Sequence, residues 1–163
     1  MSAPSHVNET EFEKRRGISR VEVREGYAQV HVSDLPQPIV TARLDALKVV
    51  AEAGVGLDFM KFTPDGMSFL VKEADAAKAE KCLDDRKGIS VVVEKGRDVV
   101  MVHAVNMRDE EGLIASIVLQ AIRSGASIGH VSDMHDRVLI VVSKDDSRKL
   151  KEQLEGSLVK VRA

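Results

Sequence analysis

Gly17-Ile18-Ser19 recurs as Gly88-Ile89-Ser90, Gly54 as Gly125, Asp65 as Asp136 and Leu83 as Leu154, each pair 71 positions apart. One offset held across four separated landmarks marks a duplicated unit, and each copy is long enough to hold several secondary elements. Such a chain is constrained to a pseudosymmetric pair of similar modules, and ligands often bind where such modules meet.

The 163 residues suffice for one or two small domains, with each copy near the small end of independent stability. A hydrophobic share of 44% against 31% charged excludes a wholly disordered chain. The net charge of -2 gives no reason to expect a polyanionic partner. With no Trp and a single Tyr, Tyr27, there are few platforms for stacking bases, so nucleic acid is not expected as a partner. Cys82 is the only cysteine, which excludes an intramolecular disulfide and fits a reducing cytosol. Without an 18-residue apolar run or a signal-peptide pattern, the expected location is cytoplasmic, away from membranes.

Residues 1–16 read as a flexible tail: small and polar residues precede the charged run Glu11 to Arg16, in which Phe12 is the one apolar anchor. In Ile18 to Val32, apolar and polar residues alternate on both sides of Glu25-Gly26, the pattern of a hairpin. Ile89 to Val105 repeats it around Lys95-Gly96, with more continuous valine runs that predict deeper burial. Helical spacing follows in Ile39 to Ala53 and from Leu113 to Ile122, ending at Gly54 and Gly125, where a cap needs a left-handed residue. Strands are expected at Val55 to Phe62, Met67 to Val71, Ser127 to Val131 and Val138 to Val142. Further helices are expected at Ala74 to Asp85 and Lys144 to Glu155, and a last strand at Leu158 to Val161.

Each copy thus reads strand, helix, strand, strand, helix, with a strand at each junction to complete it. The expected fold class is α+β: two ferredoxin-like βαββαβ units, each an antiparallel sheet with helices on one face. Ile89 to Val93 could close the first unit or pair across Lys95-Gly96; the short turn costs less loop entropy, which favours interleaving. The units are then 17–87, completed by a C-terminal strand at 158–162, and 88–157.

Met107-Arg108-Asp109-Glu110-Glu111-Gly112, then Ala115, Gly125 and Ser127-Ile128, resemble the second ACT domain of aspartate kinases in wording and spacing. The first copy matches more loosely through Ala51-Glu52-Ala53-Gly54, Leu57-Asp58 and Asp65-Gly66-Met67-Ser68-Phe69, so the resemblance covers about residues 17–157. It implies a tandem ACT pair like the C-terminal regulatory region of aspartate kinase, without the kinase domain. By implication the protein is no enzyme and needs no cofactor. It senses a small amino acid, of the lysine or threonine class, at an ACT–ACT interface. The implied partner is a second copy in a homodimer; the alternatives are a regulatory subunit of an aspartate kinase, acting only with a separate kinase catalytic subunit, and a diverged structural or interaction module without ligand.

The ligand's chemistry points to the same residues. An amino-acid carboxylate needs donors, and a glycine loop entering a helix supplies N–H groups at the positive end of the helix dipole. Met107, Arg108, Asp109, Glu111, Gly112 and Leu113 form such a loop, with Ile128 and Ser132 on the following strand. Asp58, at the family's acidic strand position, is the candidate acceptor for the ammonium. The first loop, Asp34-Leu35-Pro36-Gln37-Pro38, has no glycine, while Gly129 replaces the acid in the second copy (58 plus 71). Each copy therefore keeps half a site, which suggests a composite pocket. The plainer readings are that Gly112 only shapes a turn and that Asp58 only faces solvent. His130, Asp133, His135 and Asp136 crowd one strand and turn, but opposite strand parity points them apart, so no metal is expected. His31 and His103, at an offset of 72, read as outward strand positions without a local carboxylate.

Overall fold

The structure is a computed structural model and describes residues 17–105, 107 and 109–157. The expected tail at 1–16, the expected strand at 158–162 and Arg108 lie outside the described residues. The elements run β1 (Ile18–Ser33), α1 (Ile39–Glu52), β2 (Asp58–Thr63), β3 (Gly66–Lys72) and a single 3-10 turn (Glu73–Asp75) that leads into α2 (Ala76–Asp84). They continue with β4 (Ser90–Ala104), α3 (Leu113–Arg123), β5 (Ile128–Asp133), β6 (Arg137–Ser143) and α4 (Lys144–Glu155). Hydrogen-bonded strands follow the order β2-β3-β1-β4-β6-β5. The fold is α+β, with two ferredoxin-like units of the ACT type.

The two hairpins expected around Gly26 and Gly96 do not form. Each stretch is one long strand, and its glycine sits inside it at φ 82° or 66°. A positive-φ glycine serves a bulge as readily as a turn. The Gly26 N–H finds its partner in the carboxylate of Asp98 at 3.3 Å. Because β1 and β4 run on, the compact units divide within them: one is Arg24–Val99, and the other joins residues 17–23 to those from Val100 onward.

In the Arg24–Val99 unit the strands lie in the order β2, β3, β1, β4, with β1 pairing β3 antiparallel from Tyr27↔Lys72 to Val32↔Met67. Period two along β1 turns Ala28, Val30 and Val32 toward the helices, where they meet Ala46 and Val50 of α1 and Ala76, Ala79 and Leu83 of α2. The other unit repeats this with Val100, Val102 and Ala104 of β4 against Ile117 and Ala121 of α3 and Leu150 and Leu154 of α4. The i, i+4 spacing within each helix makes those pairs share a face. Each fully buried leucine contributes about 1.5–3 kcal/mol relative to exposure. The central strands β3 and β6 are buried on both faces, from Gly66 to Val71 and from Val138 to Val142.

Helix ends follow the glycines. Gly54 and Gly125 adopt φ 71° and 73° just past α1 and α3, and their N–H groups bond back to Ala51 and Ile122. α4 starts at Ser143, whose hydroxyl accepts from the Asp145 N–H. Among the described residues no helix is long and apolar enough to cross a membrane.

Candidate functional site

The second loop is built around one buried side chain and one left-handed glycine. Met107 is fully buried in the core of its unit, so its side chain is committed to packing and only its backbone is available to a ligand. Gly112 stands at the N-cap of α3 with φ 78°, and no side chain caps the helix. A left-handed residue there costs a non-glycine about 1–2 kcal/mol. Of the acidic side chains, Asp109 and Glu111 are exposed, whereas Glu110 accepts the Gly17 N–H at 2.8 Å. The Leu113 N–H turns back to the Glu110 carbonyl at 3.2 Å, and the half-buried Leu113 side chain packs on the core.

The first loop is held differently. Leu35 plugs its core as Met107 does, at an offset of 72 (107 minus 35). Its N–H donates to the Asp65 carbonyl at 2.9 Å, and α1 starts after Pro38, again without a side-chain cap.

Asp58 opens β2 as an exposed residue of the Arg24–Val99 unit, while the loop residues, Ile128 and Ser132 belong to the other unit. The pairing of β2 with β3 slips between Asp58 and Lys61, and Phe59 takes φ 50°. A bulky residue in that region is strained by roughly 1–3 kcal/mol, and such outliers cluster at binding sites. β5 slips at the equivalent place, between Ile128 and His130, where Gly129 lies. Ile128 is half-buried against the core, and Ser132, also half-buried, pairs with Leu139.

Sequence patterning missed a polar cluster where the start of β1 meets the end of β4. His103 was expected to point outward without a carboxylate; it is buried at 8% exposure, with Nε2 3.3 Å from the Arg20 guanidinium and 3.5 Å from Glu22. Burial, then the charge of Arg20, holds its pKa below the ordinary 6.5 against the opposing pull of Glu22. His31 likewise has a carboxylate partner, Glu94, at 3.2 Å. Both partners lie on the neighbouring strand, which explains why local sequence gave no sign of them. Beside His103, the carboxylate of Asp136 is held by both Nε and a terminal nitrogen of Arg137 at 2.8 Å, which lowers its pKa. Among the described residues no three His, Cys, Asp or Glu side chains gather as a metal site.

Comparison with known proteins turns on the fold. No protein-family model matches the sequence, and no curated protein matches it. Among solved structures, the ligand-free regulatory subunit of aspartate kinase from Thermus thermophilus superposes with a TM-score of 0.78 at 17% identity, over 89% of this chain and 100% of that one. The chain has the fold of an aspartate kinase regulatory subunit. The Thermus flavus regulatory subunit gives 0.76 at 17% identity, over 86% of this chain and 98% of its own. Aspartokinase III of E. coli, in a T-state complex with lysine and aspartate, gives 0.70 at 11% identity; 94% of this chain aligns with 35% of that enzyme.

Proposed function

We propose that the chain is a non-catalytic, tandem-ACT regulator. It binds a small amino acid of the lysine or threonine class at an ACT–ACT interface and transmits that binding to a partner or oligomer. The observation that carries this reading is the start of α3, where a left-handed Gly112 leaves the helix without a side-chain cap. The first N–H groups of a helix point at a carboxylate with the dipole behind them. The acid at 110 is drawn off to the Gly17 N–H, which reduces the repulsion a ligand carboxylate would meet. Asp58, on a slipped strand next to the strained Phe59, supplies an exposed carboxylate for an ammonium group. Met107, Arg108, Asp109, Glu111, Gly112, Leu113, Ile128 and Ser132 complete the proposed ligand-binding set. Support also comes from the fold shared with aspartokinase III, a protein found in complex with lysine.

Calorimetry across the common amino acids tests this. Saturable binding of one of them, weakened about tenfold by Asp58→Ala through loss of a charged hydrogen bond, is expected. The proposal falls if no amino acid binds, or if Asp58→Ala leaves the affinity unchanged.

A second reading is that the chain acts as the regulatory subunit of an aspartate kinase with a separate catalytic chain. The near end-to-end match to two regulatory subunits favours it. Co-purification of a kinase chain with the tagged protein from its native cells would support this reading, and its absence would leave the free-standing regulator. Homodimer formation is proposed with either reading, since β2 and β5 end the strand order and β2 exposes Met60 and Phe62. Sedimentation analysis checks it.

A further inference from the structure

We infer that His103, Arg20 and Glu22 form a pH-sensitive switch: on protonation, the imidazole Nε2 releases the Arg20 guanidinium and bonds to the Glu22 carboxylate instead. The three groups lie within one unit, where the start of β1 meets the end of β4. This device is separate from the α3 loop and stands or falls independently of the function proposed above.

Geometry sets the neutral state. One terminal nitrogen of Arg20 is 3.1 Å from Glu22 Oε2 and 3.3 Å from His103 Nε2. A terminal guanidinium nitrogen carries two N–H donors and no lone pair, so it gives one hydrogen to the carboxylate and the other to Nε2. Nε2 is therefore the acceptor in this contact, and the proton of the neutral imidazole sits on Nδ1. The Ser19 hydroxyl donates to the His103 carbonyl at 3.1 Å, which ties the two strands beneath the trio independently of the ring.

The acid state follows from the same atoms. The neutral ring has one free lone pair, on Nε2, so an added proton goes there. Nε2 is then a charged donor that no longer accepts from Arg20, and two cations 3.3 Å apart repel. The acceptor within reach is Glu22, 3.5 Å away. Closing that gap to about 2.7–2.9 Å makes a charge-assisted hydrogen bond. Arg20 is the member that moves, because its side chain is 64% exposed while that of the histidine is 11% exposed.

The surroundings permit the exchange and direct it. His103 lines a cavity of about 520 Å³ with Ser19, Arg20, His135 and Asp136, which gives a buried ring a route to solvent protons. The charges facing the ring are Arg20 and Glu22 on β1, Asp136 in the turn before β6 and Arg137 at the start of β6. Asp136 and Arg137 are locked to each other at 2.8 Å, so Arg20 and Glu22 are the pair on which the ring acts. Burial and then the charge of Arg20 oppose the proton while Glu22 favours it, so the switch trips below the ordinary 6.5.

The experiment follows the imidazole nitrogens of the intact protein by NMR as pH is lowered from above 6.5 to below it, and compares crystal structures at the two ends. The expected result at the upper end is a bare Nε2 with the proton on Nδ1. At the lower end Nε2 is protonated, lies within about 2.9 Å of a Glu22 oxygen and is beyond hydrogen-bond reach of Arg20. Arg20→Gln removes the opposing charge and raises the titration midpoint of His103, whereas Glu22→Gln lowers it. Neither residue belongs to the core of the unit, so both variants keep the fold. The assignment is overturned if Nε2 carries the proton at the upper end, or if the protein unfolds before Nε2 titrates. It is overturned equally if the protonated ring keeps Arg20 or fails to close on Glu22, or if either substitution leaves the midpoint unmoved or moves it the opposite way.

Discussion

His31 with Glu94 in one unit, and His103 with Glu22 in the other, stand at equivalent places: 103 minus 31 and 94 minus 22 both give 72. Each pair takes its histidine from one long strand and its carboxylate from the other, and each carries an arginine on the carboxylate at 3.1 Å, Arg97 or Arg20. Burial is exchanged between the pairs. In the first, the histidine is 39% exposed and the arginine 12%; in the second, the histidine is 11% exposed and the arginine 64%.

Duplication supplied the histidine and the carboxylate twice, each copy acquired its arginine at a different position (97 minus 20 gives 77), and depth now separates the chemistry of the two trios. Where the arginine is sunk beside Glu94, the trio is a closed ion pair suited to holding strands together. Where the histidine is sunk and the arginine exposed, the same groups leave a cation facing a cavity. The β-to-α loops diverge in the same direction. Leu35 and Met107 both plug their cores, but only the second loop ends in a left-handed glycine at a helix start.

The sharpest way to break this comparison is through the two plugs. Met107→Ala should cost about 2–5 kcal/mol, the range for truncating a buried methionine or leucine, and Leu35→Ala should fall in the same range. Met107→Leu should cost less than about 1.5 kcal/mol, since volume is kept. Chemical denaturation of the three variants measures this. A loss below about 1 kcal/mol for Met107→Ala would mean that the second loop is not anchored in its core.

How far this division was legible depends on the range of the contacts involved. The bounds of α4 could be read to the residue, because Leu150 and Leu154 repeat at helical spacing behind the Ser143 cap. Gly54 and Gly125 ended α1 and α3 for the same local reason. The continuity of β1 and β4 was not legible: a glycine between alternating residues serves a turn or a bulge, and the partner that decides for Gly26 lies 72 positions away, at Asp98. The polar cluster was hidden likewise, with Arg20 and His103 83 positions apart. In the candidate loop, Gly112 was legible from its place before an apolar helix. The burial of Met107 was not, because a methionine in a loop carries no periodicity to show where it points.

A smaller effect sharpens the backbone side of the comparison. Gly66 opens β3, and a Cβ built there would lie 1.8 Å from the Val32 carbonyl oxygen, whereas the equivalent position in the other unit (66 plus 71) is Arg137. Gly66→Ala should therefore destabilise by about 1–3 kcal/mol through forced backbone movement. Gly112→Ala meets open space and should cost only the left-handed conformation, about 1–2 kcal/mol. A cost below about 1 kcal/mol for Gly66→Ala, read from denaturation midpoints, would show that close approach at Gly66 does not matter.

The smallest effects should appear as two separate pH windows. His103 has a pKa below the ordinary 6.5, through burial and then the charge of Arg20. The unfolded chain therefore takes up that proton first as pH falls. Its contribution to stability is complete above 6.5 and is lost as pH falls through the lower, folded value. Burial by itself would raise the pKa of Glu94, but the hydrogen bond from His31, with the charge and hydrogen bond of Arg97, brings it below the ordinary 4.5. Its contribution is complete above 4.5 and is lost only at more acid pH. On acidification, the unit containing His103 should weaken before the unit containing Glu94. His103→Gln should flatten the stability profile in the mildly acidic range, and Glu94→Gln should flatten it only in the strongly acidic range. Denaturation midpoints measured across pH for both variants decide this. If His103→Gln leaves the mildly acidic slope unchanged, the buried histidine is not the group that sets it, and the exchange of burial between the two pairs has no consequence for acid stability.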